Sequence, residues 1–233
     1  MADHGSPTSL LVPIHKAGWP FIAIFFGVAV VLGFVWQPLF VVGFLLTVWC
    51  AYFFRDPPRV TPTGRSVVVS PCDGVVAQTT PRVPPPELGL GDQPLPCIGV
   101  FMNVFDVHVN RTPVPGRLLD VAYHKGQFLN ASLDKASDLN ERQSFKIEAV
   151  GGKVLGIVQV AGLVARRIIG FVGPGRELLP GERIGLIRFG SRCDVYLPRG
   201  VLPRVLPGQR TVAGETVIAD LEGPQTPVEG RTD

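Results

Sequence analysis

The sequence has few of the residues from which most catalytic and metal sites are built. It contains four histidines and four cysteines among 233 residues. The cysteines form no Cys-x-x-Cys pair and no cysteine-histidine cluster at metal-ligand spacing, and they lie at Cys50, Cys72, Cys97 and Cys193. A Gly-x-Ser-x-Gly elbow, a His-Glu-x-x-His helix and a phosphate-binding glycine loop are also missing. These absences argue against the common zinc, hydrolase and nucleotide-binding classes, and they predict reduced thiols and no metal.

Charge is also sparse. Charged residues make up 18% of the chain, the formal net charge is +3, and Lys and Arg do not gather in one stripe. A nucleic-acid-binding protein would show such a stripe, so that class is excluded. A mildly basic surface suits anionic lipid headgroups better. Hydrophobic residues reach 46%, so part of the apolar content is expected outside an ordinary core.

The longest uncharged stretch covers residues 19–54 and is too long for a core helix of a globular domain. Gln37-Pro38 interrupts it, which predicts two apolar arms, 19–36 and 38–54, joined by a turn. Each arm is at the short end of the ~17 to 25 residues that a spanning helix needs, so a two-pass hairpin and a re-entrant hairpin both stay open. Lys16, Arg55 and Arg59 flank the hairpin and predict that both ends are cytoplasmic.

The rest of the chain is rich in valine, isoleucine, glycine and proline in short alternating runs, which predicts a mainly β fold, a sandwich or barrel-like domain over residues 55–221. Residues 1–18 are a cytoplasmic segment and residues 222–233 a flexible tail in this scheme. Valines 67–69 and 75–76 are expected to form a hairpin around an Asp73-Gly74 turn. Two further strands are expected to flank Gly190-Ser191.

After the membrane segment the chain contains two histidines, His108 and His124, so a general base acting near neutral pH is expected to be one of them. Within residues 104–110, the apolar residues Phe105, Val107 and Val109 alternate with the polar residues Asp106, His108 and Asn110. That alternation predicts a strand with His108, Asp106 and Asn110 on its polar face.

Several pieces of this sequence together resemble the phosphatidylserine decarboxylases in their short bacterial and archaeal form. The three main pieces are Ser-Pro-Cys-Asp-Gly at 70–74, Phe-Met-Asn-Val-Phe-Asp-Val-His-Val-Asn-Arg at 101–111 and Arg-Phe-Gly-Ser-Arg at 188–192. Residues 123–126, 140–142 and 181–183 are also similar to that family, in the same order. A lone Gly-Ser pair is more often a simple turn, but the ordered set is specific and covers nearly the whole chain.

The resemblance implies that the precursor cuts itself between Gly190 and Ser191. Ser191 then becomes a covalent pyruvoyl group, which serves as the cofactor in place of pyridoxal phosphate, with no metal. It also implies a large chain of residues 1–190 and a small chain of residues 191–233. Asp73 and His108 are the candidates for activating Ser191, with Asp73 orienting or stabilising a charged imidazole.

Longer members of the family carry a second histidine three residues after the first and give it the activating role in cleavage. In this sequence that position is Arg111, so either His124 or His108 acting in both steps must fill the gap. For the anionic groups of the substrate, Arg55, Arg59 and Arg192 are placed suitably, without a preference among them.

The expected function is therefore decarboxylation of phosphatidylserine to phosphatidylethanolamine at the cytoplasmic side of the cell (inner) membrane. The expected partners are the lipid substrate and the bilayer, with no nucleic acid, and the oligomeric state stays open, a homo-oligomer included. One alternative is the same chemistry on an ether lipid with a phosphoserine headgroup (archaetidylserine). Another is a membrane-tethered β-rich binding module that is never cut.

Overall fold

The computed structural model describes residues 12–127, 140–162, 167–188 and 190–231. Within the described residues the chain divides into two compact units, one ending at Pro58 and one beginning at Arg59. The first holds the apolar arms and the second holds the β-rich part. Most of the expected N-terminal segment 1–18 lies outside the described residues, as do the last two residues of the expected tail.

The first unit is a pair of apolar helices joined by one extended residue. Helix α1 spans Trp19–Val35 and helix α2 spans Gln37–Phe53, with Trp36 extended between them. A Cβ atom added to Gly43 would come within 2.6 Å of the Ala29 Cβ atom, so small residues allow the helices to approach closely. The predicted interruption at Gln37-Pro38 thus falls one residue earlier, because a proline in the first turn begins a helix well.

Both helices expose large apolar side chains, with Phe34 at 86% and Val35 at 78% exposure. By length and composition, Lys16–Val35 could cross a membrane, whereas α2 is shorter. The burial of one small residue, Ala29, in the whole of α1 contrasts with a core helix of a soluble domain, which buries an apolar stripe.

The second unit is built from β-strands, which confirms the predicted fold class. The described strands are β1 (Val67–Val69), β2 (Gly74–Gln78), β3 (Cys97–Met102), β4 (Val109–Arg111), β5 (Gly116–His124), β6 (Arg142–Glu148), β7 (Val154–Ala161), β8 (Ile168–Gly170), β9 (Glu177–Leu178), β10 (Arg183–Ile187), β11 (Ser191–Tyr196), β12 (Arg210–Thr211) and β13 (Val217–Asp220).

The strands form three antiparallel sheets. The largest has the order β12-β2-β3-β11-β7-β6-β5-β9, the second has the order β4-β10-β8, and β1 pairs with β13. Side chains from all three sheets meet in one apolar core, to which Val68, Ile98, Ile157, Ile184 and Ile218 contribute. Strand β11 lies in the middle of the largest sheet, between β3 and β7.

Strand β11 is covered on both faces. Cys193 and Val195 point into the main core, while Tyr196 packs in a smaller cluster with Leu88 and Leu95. The latter two belong to the proline-rich connection between β2 and β3, which folds over the outer face of the sheet. A strand covered in this way is shielded from water along its whole length.

The hairpin expected around Asp73-Gly74 is wrong. Strand β1 pairs with β13, which lies near the end of the chain, and β2 pairs with β3 and β12. A valine-rich run beside an Asp-Gly pair predicts a local turn, but here burial against distant strands determines the pairing.

Candidate active site

The Gly190-Ser191 peptide lies where β11 begins. Ser191 is paired with Met102 of β3 and with Ala161 of β7, and its side chain is fully buried. Gly190 has φ +64°, a left-handed conformation that strains other residues. A Cβ atom at Gly190 would meet nothing within 4 Å. Glycine therefore meets a backbone requirement here, and it leaves the carbonyl group before Ser191 uncrowded.

The Ser191 hydroxyl contacts a thioether. Its Oγ lies 3.8 Å from the Met102 Sδ, and the Asn110 Nδ2 donates to the same sulfur at 3.5 Å. The Gln159 Nε2 donates in turn to the Asn110 Oδ1 at 2.6 Å. All four side chains are fully buried. Since a thioether is a weak acceptor, the hydroxyl is buried and has no strong partner for its proton among the residues that the structure describes.

Two sheets are joined at this point by a pair of glutamines. Gln143 and Gln159 are opposite each other on β6 and β7, and Gly170 and Gly185 are opposite each other on β8 and β10. A Cβ atom on Gly170 would clash with Gln143, and one on Gly185 would clash with Gln159. The glycines thus let the amide side chains of the large sheet reach the backbone of the second sheet, next to Asn110 and Ser191.

His108 lies at the same end of the domain as Ser191. The connection 103–108 leaves β3 after Met102, which pairs with Ser191, and enters β4 at Val109, which pairs with Leu186. The backbone oxygen of His108 also accepts from the Ile187 N–H at 3.2 Å. The connection 103–108 is therefore held next to β11 at one end and next to β10 at the other, which places His108 at the same end of the domain as the Gly190-Ser191 peptide.

The His108 ring is fully buried, and its Nδ1 lies 3.0 Å from the backbone oxygen of Asp106. A carbonyl oxygen can only accept, so this contact assigns a proton to Nδ1 and leaves Nε2 as the basic nitrogen of the neutral ring. The predicted position on a polar strand face is wrong, because residues 103–108 form a turn and bend that carry the imidazole inward.

Asp73 also lies at this end of the large sheet. Val75 pairs with Phe101, and Phe101 with Arg192, which puts Asp73 two strands from Gly190, about 10 Å along the sheet. Among the described residues its carboxylate accepts from Arg59 Nη2 at 2.8 and 2.9 Å and from the Ala213 N–H at 2.8 Å. Its hydrogen-bond partners are therefore a guanidinium and a backbone amide rather than an imidazole.

The residue before Asp73 ties this segment to β11. The Cys72 thiol hydrogen-bonds to Cys193, two residues after Ser191, and burial followed by this contact raises the pKa of Cys72 well above its ordinary value. Both thiols are fully buried, which makes them unreactive packing groups. All four cysteines are free.

His124 lies far from Ser191 along the sheet. It pairs with Arg142, which pairs with Val160, which pairs with Arg192. Three strand spacings, about 14 Å, therefore separate His124 from Arg192, the neighbour of Ser191, and His124 is exposed. Arg111, at the position of the family's second histidine, donates to the Gly181 backbone oxygen at 2.9 Å and is buried. Of the two histidines considered, the geometry favours His108.

The three arginines that were expected to hold the anionic groups of the substrate make contacts within the protein. Arg192 forms an ion pair with Asp194 at 2.8 Å, with both side chains at most 2% exposed, on the face of β11 opposite to Ser191. Arg59 binds Asp73. Arg55, in the first unit, donates to the Tyr52 backbone oxygen. Sequence reasoning missed Met102, Asn110 and Gln159. The first two lie in the family-like segment 101–111, but nothing in their residue types assigned them a place beside the serine.

The chain is similar to known proteins over most of its length. The family model described as phosphatidylserine decarboxylase matches residues 46–219. A protein of Cereibacter sphaeroides named phosphatidylserine decarboxylase proenzyme is 56% identical over 214 residues, which cover 92% of this chain and 92% of that protein. The similarity thus includes the helix pair as well as the β-rich unit.

Proposed function

Because the chain belongs to the phosphatidylserine decarboxylase family, we propose that it converts phosphatidylserine to phosphatidylethanolamine and CO2 with a pyruvoyl group made from its own Ser191. The observation that carries this proposal is the buried Ser191 hydroxyl directly after a glycine in a left-handed conformation. The name of the relative, a proenzyme, supports a precursor that must be processed before it acts.

In the proposed cleavage, the Ser191 hydroxyl attacks the Gly190 carbonyl carbon while His108 Nε2 accepts its proton. The new C–O bond replaces the amide C–N bond, so an ester and a free amine result. Loss of the Ser191 α-proton then expels the Gly190 carboxylate and leaves dehydroalanine. Its imine tautomer takes up water, releases ammonia and becomes the ketone. Every atom comes from the chain or from water.

Asp73 is the proposed orienting carboxylate. Arg59 and the Ala213 N–H hold its two oxygens, so its position at this end of the sheet is well fixed. A negative charge there stabilises a protonated imidazole once His108 has accepted the serine proton. For Asp73 to act on the imidazole directly, the Arg59 contact has to be exchanged or shared.

The residues around Ser191 fit a pyruvoyl group. The site is dry, the position at the start of β11 becomes a chain terminus after cleavage, and Asn110 supplies an amide donor beside it. When formed, the group accepts the electron pair left by the departing CO2. His108 is the proposed proton donor to the carbon that has lost CO2, and the closed core around it excludes competing water.

The small chain stays bound after cleavage in this proposal. Residues 191–233 contain β11, β12 and β13, and each of these pairs with a strand of the large chain. Strand β11 alone forms ladders on both sides, with β3 and β7. The two chains therefore need no covalent link to hold residue 191 in the site.

Intact-mass measurement of the purified protein tests the proposal. We expect two chains that end at Gly190 and begin at residue 191, with the small chain lighter than its sequence by one molecule of ammonia. Release of labelled CO2 from phosphatidylserine should accompany this material. An active preparation that contains one unbroken chain would contradict the proposal. An unbroken chain without decarboxylase activity would favour the uncut binding module. Comparing the rates of decarboxylation of diacyl and ether lipids that carry the same phosphoserine headgroup tests the alternative of an ether-lipid substrate.

We also propose that the helix pair anchors the enzyme in the cell membrane with the β-rich unit on the cytoplasmic side. Support comes from the exposed apolar helices and from Lys16, Arg55 and Arg59 around them. The chain is expected to stay with membranes after an alkaline carbonate wash. Protease should digest the β-rich unit in inverted membrane vesicles and spare it in intact spheroplasts, and digestion in spheroplasts would reverse the assigned side.

A further inference from the structure

Four side chains with charge or hydrogen-bonding capacity gather at the end of the sheets that holds the Gly190-Ser191 peptide, and they have no role in the chemistry described above. They are Tyr123 at the end of β5, Glu141 just before β6, Arg167 just before β8 and Arg188 just after β10. We call them the charged cluster. Electrostatic contacts link Tyr123 with Glu141 and Arg167, and Arg167 with Arg188.

The charged cluster lies at the end of the sheets where cleavage takes place. The Ala161 N–H donates to the Glu141 backbone oxygen at 2.9 Å, and Ala161 is paired with Ser191. Glu141 is therefore two strands from Ser191, about 10 Å along the sheet. Arg188 lies two residues before Gly190.

Glu141 is a buried carboxylate with an unused oxygen. It is 8% exposed, and its Oε1 has no hydrogen-bond partner among the described residues. The Tyr123 hydroxyl is hydrogen-bonded to the Glu141 side chain, and desolvation, this hydrogen bond and the carboxylate charge raise the pKa of Tyr123 to about 12. Tyr123 therefore stays protonated and donates to Glu141. A buried, charged acceptor with spare capacity is costly unless a cation or donor meets it.

Arg167 and Arg188 are two like charges on neighbouring strands. The ladder that pairs Ile187 with Ile168 continues through a hydrogen bond from the Arg188 N–H to the Arg167 backbone oxygen at 3.3 Å. Residues directly opposite share one face of a sheet, where like charges are unfavourable. Burial, and then the positive charge of Arg167, lowers the pKa of Arg188. An anion between the two guanidinium groups would relieve that repulsion.

We propose that the charged cluster binds the phosphoserine headgroup of the substrate, with Arg167 and Arg188 holding its anionic groups and the Glu141 carboxylate attracting its ammonium group before the amine reaches residue 191. This inference rests on the proposed function. The headgroup carries a phosphodiester and a carboxylate, both negative, and one ammonium, and the charged cluster presents two cations and one anion. The pattern of signs is complementary, which is how charged sites select a ligand.

The charges also distinguish headgroup from free phosphate. Inorganic phosphate can satisfy the arginines, but it offers nothing to the spare oxygen of Glu141. A ligand that carries both signs is complementary in charge to all three charged groups at once. Soluble glycerophosphoserine is therefore expected to compete with the lipid substrate more strongly than glycerophosphate or inorganic phosphate.

The test uses purified full-length enzyme in detergent micelles, with rates expressed per cleaved chain as measured by intact mass. Arg167→Met and Arg188→Met are each expected to raise KM about 10- to 100-fold, the loss of one hydrogen bond to a charged group. Glu141→Gln keeps an acceptor for Tyr123 but loses the charge, so it should weaken inhibition by glycerophosphoserine and leave inhibition by inorganic phosphate as it was. Arg199→Met is the matched control, because Arg199 is exposed beyond the opposite end of β11.

The inference is overturned if Arg167→Met and Arg188→Met keep the KM of Arg199→Met while the wild-type chain is cut and active. A wild-type chain that is uncut and inactive contradicts the proposed function instead. If the Arg188→Met chain is not cut, its KM cannot be measured. The arginine variants are then made in the Ser191→Ala background, and binding of glycerophosphoserine is measured by calorimetry, which needs no cleavage. Binding that Arg167→Met fails to weaken in that background also overturns the inference.

Discussion

Replacing Ser191 with alanine is expected to leave one uncut chain of 233 residues with no decarboxylase activity above background. The alanine methyl group has no oxygen to attack the Gly190 carbonyl, so neither the ester nor the ketone can form. The side chain is fully buried, and its Oγ contacts only the weakly accepting Met102 sulfur in the described contacts. Removing the hydroxyl should therefore change stability by about 1 kcal/mol at most.

Intact mass and CO2 release measure both consequences on the same preparation. Ser144→Ala is the matched control, because Ser144 is a second buried serine of the same sheet, on β6, and its hydroxyl donates to Glu87 rather than facing a glycine carbonyl. That variant should be cut and active. A Ser191→Ala chain that still separates at Gly190 would show that another group is the nucleophile.

The sequence was sufficient for the parts of this protein that depend on local pattern. Uncharged length and one Gln-Pro pair predicted the two helices within a residue. Strands on both sides of Gly190 followed from short valine and isoleucine runs, since β-branched residues favour extended backbone. In each case the signal lies within a few residues of the element that it predicts.

Features that depend on distant contacts could not be predicted in this way. The valines of β1 look like half of a local hairpin, but their partners are residues 217–220. His108 alternates with apolar neighbours, yet a turn after Met102 carries it into the core. The place of Gln159 beside Asn110 depends on Gly185 in a second sheet, and no spacing within one segment encodes that contact.

The resemblance to a family supplied the cleavage site, which local pattern alone could not predict. It did not decide which histidine activates Ser191. His108 and His124 are equivalent in the sequence as candidate general bases. The register of the large sheet distinguishes the two histidines. It places His124 three strands away from Arg192, the neighbour of Ser191, and His124 is exposed. Arg111, at the position of the family's second histidine, does not take over the role of the base, since its guanidinium donates to the Gly181 backbone oxygen.

His108→Asn should therefore slow self-cleavage by about 10²- to 10⁴-fold, the usual contribution of a positioned base, whereas His124→Asn should be cut as fast as wild type. Asparagine can still donate to the Asp106 backbone oxygen that the imidazole contacts, so it removes the base and preserves much of the local structure. Cleavage is followed by gel electrophoresis after cell-free synthesis, which starts the reaction from uncut chains.

A variant with a smaller side chain at position 108 distinguishes loss of the base from loss of the fold. His108→Gly leaves a buried cavity beside the site, and added imidazole is expected to restore part of the cleavage rate there, with no effect on His124→Gly. A merely structural role for the ring predicts a stability change without such rescue, and equal slowing in the His108 and His124 variants would remove the distinction. Because the cavity is buried, it should admit neutral imidazole rather than the charged form. Rescue should therefore increase with the fraction of neutral imidazole as pH rises, which would show that the lost function needs a lone pair on nitrogen.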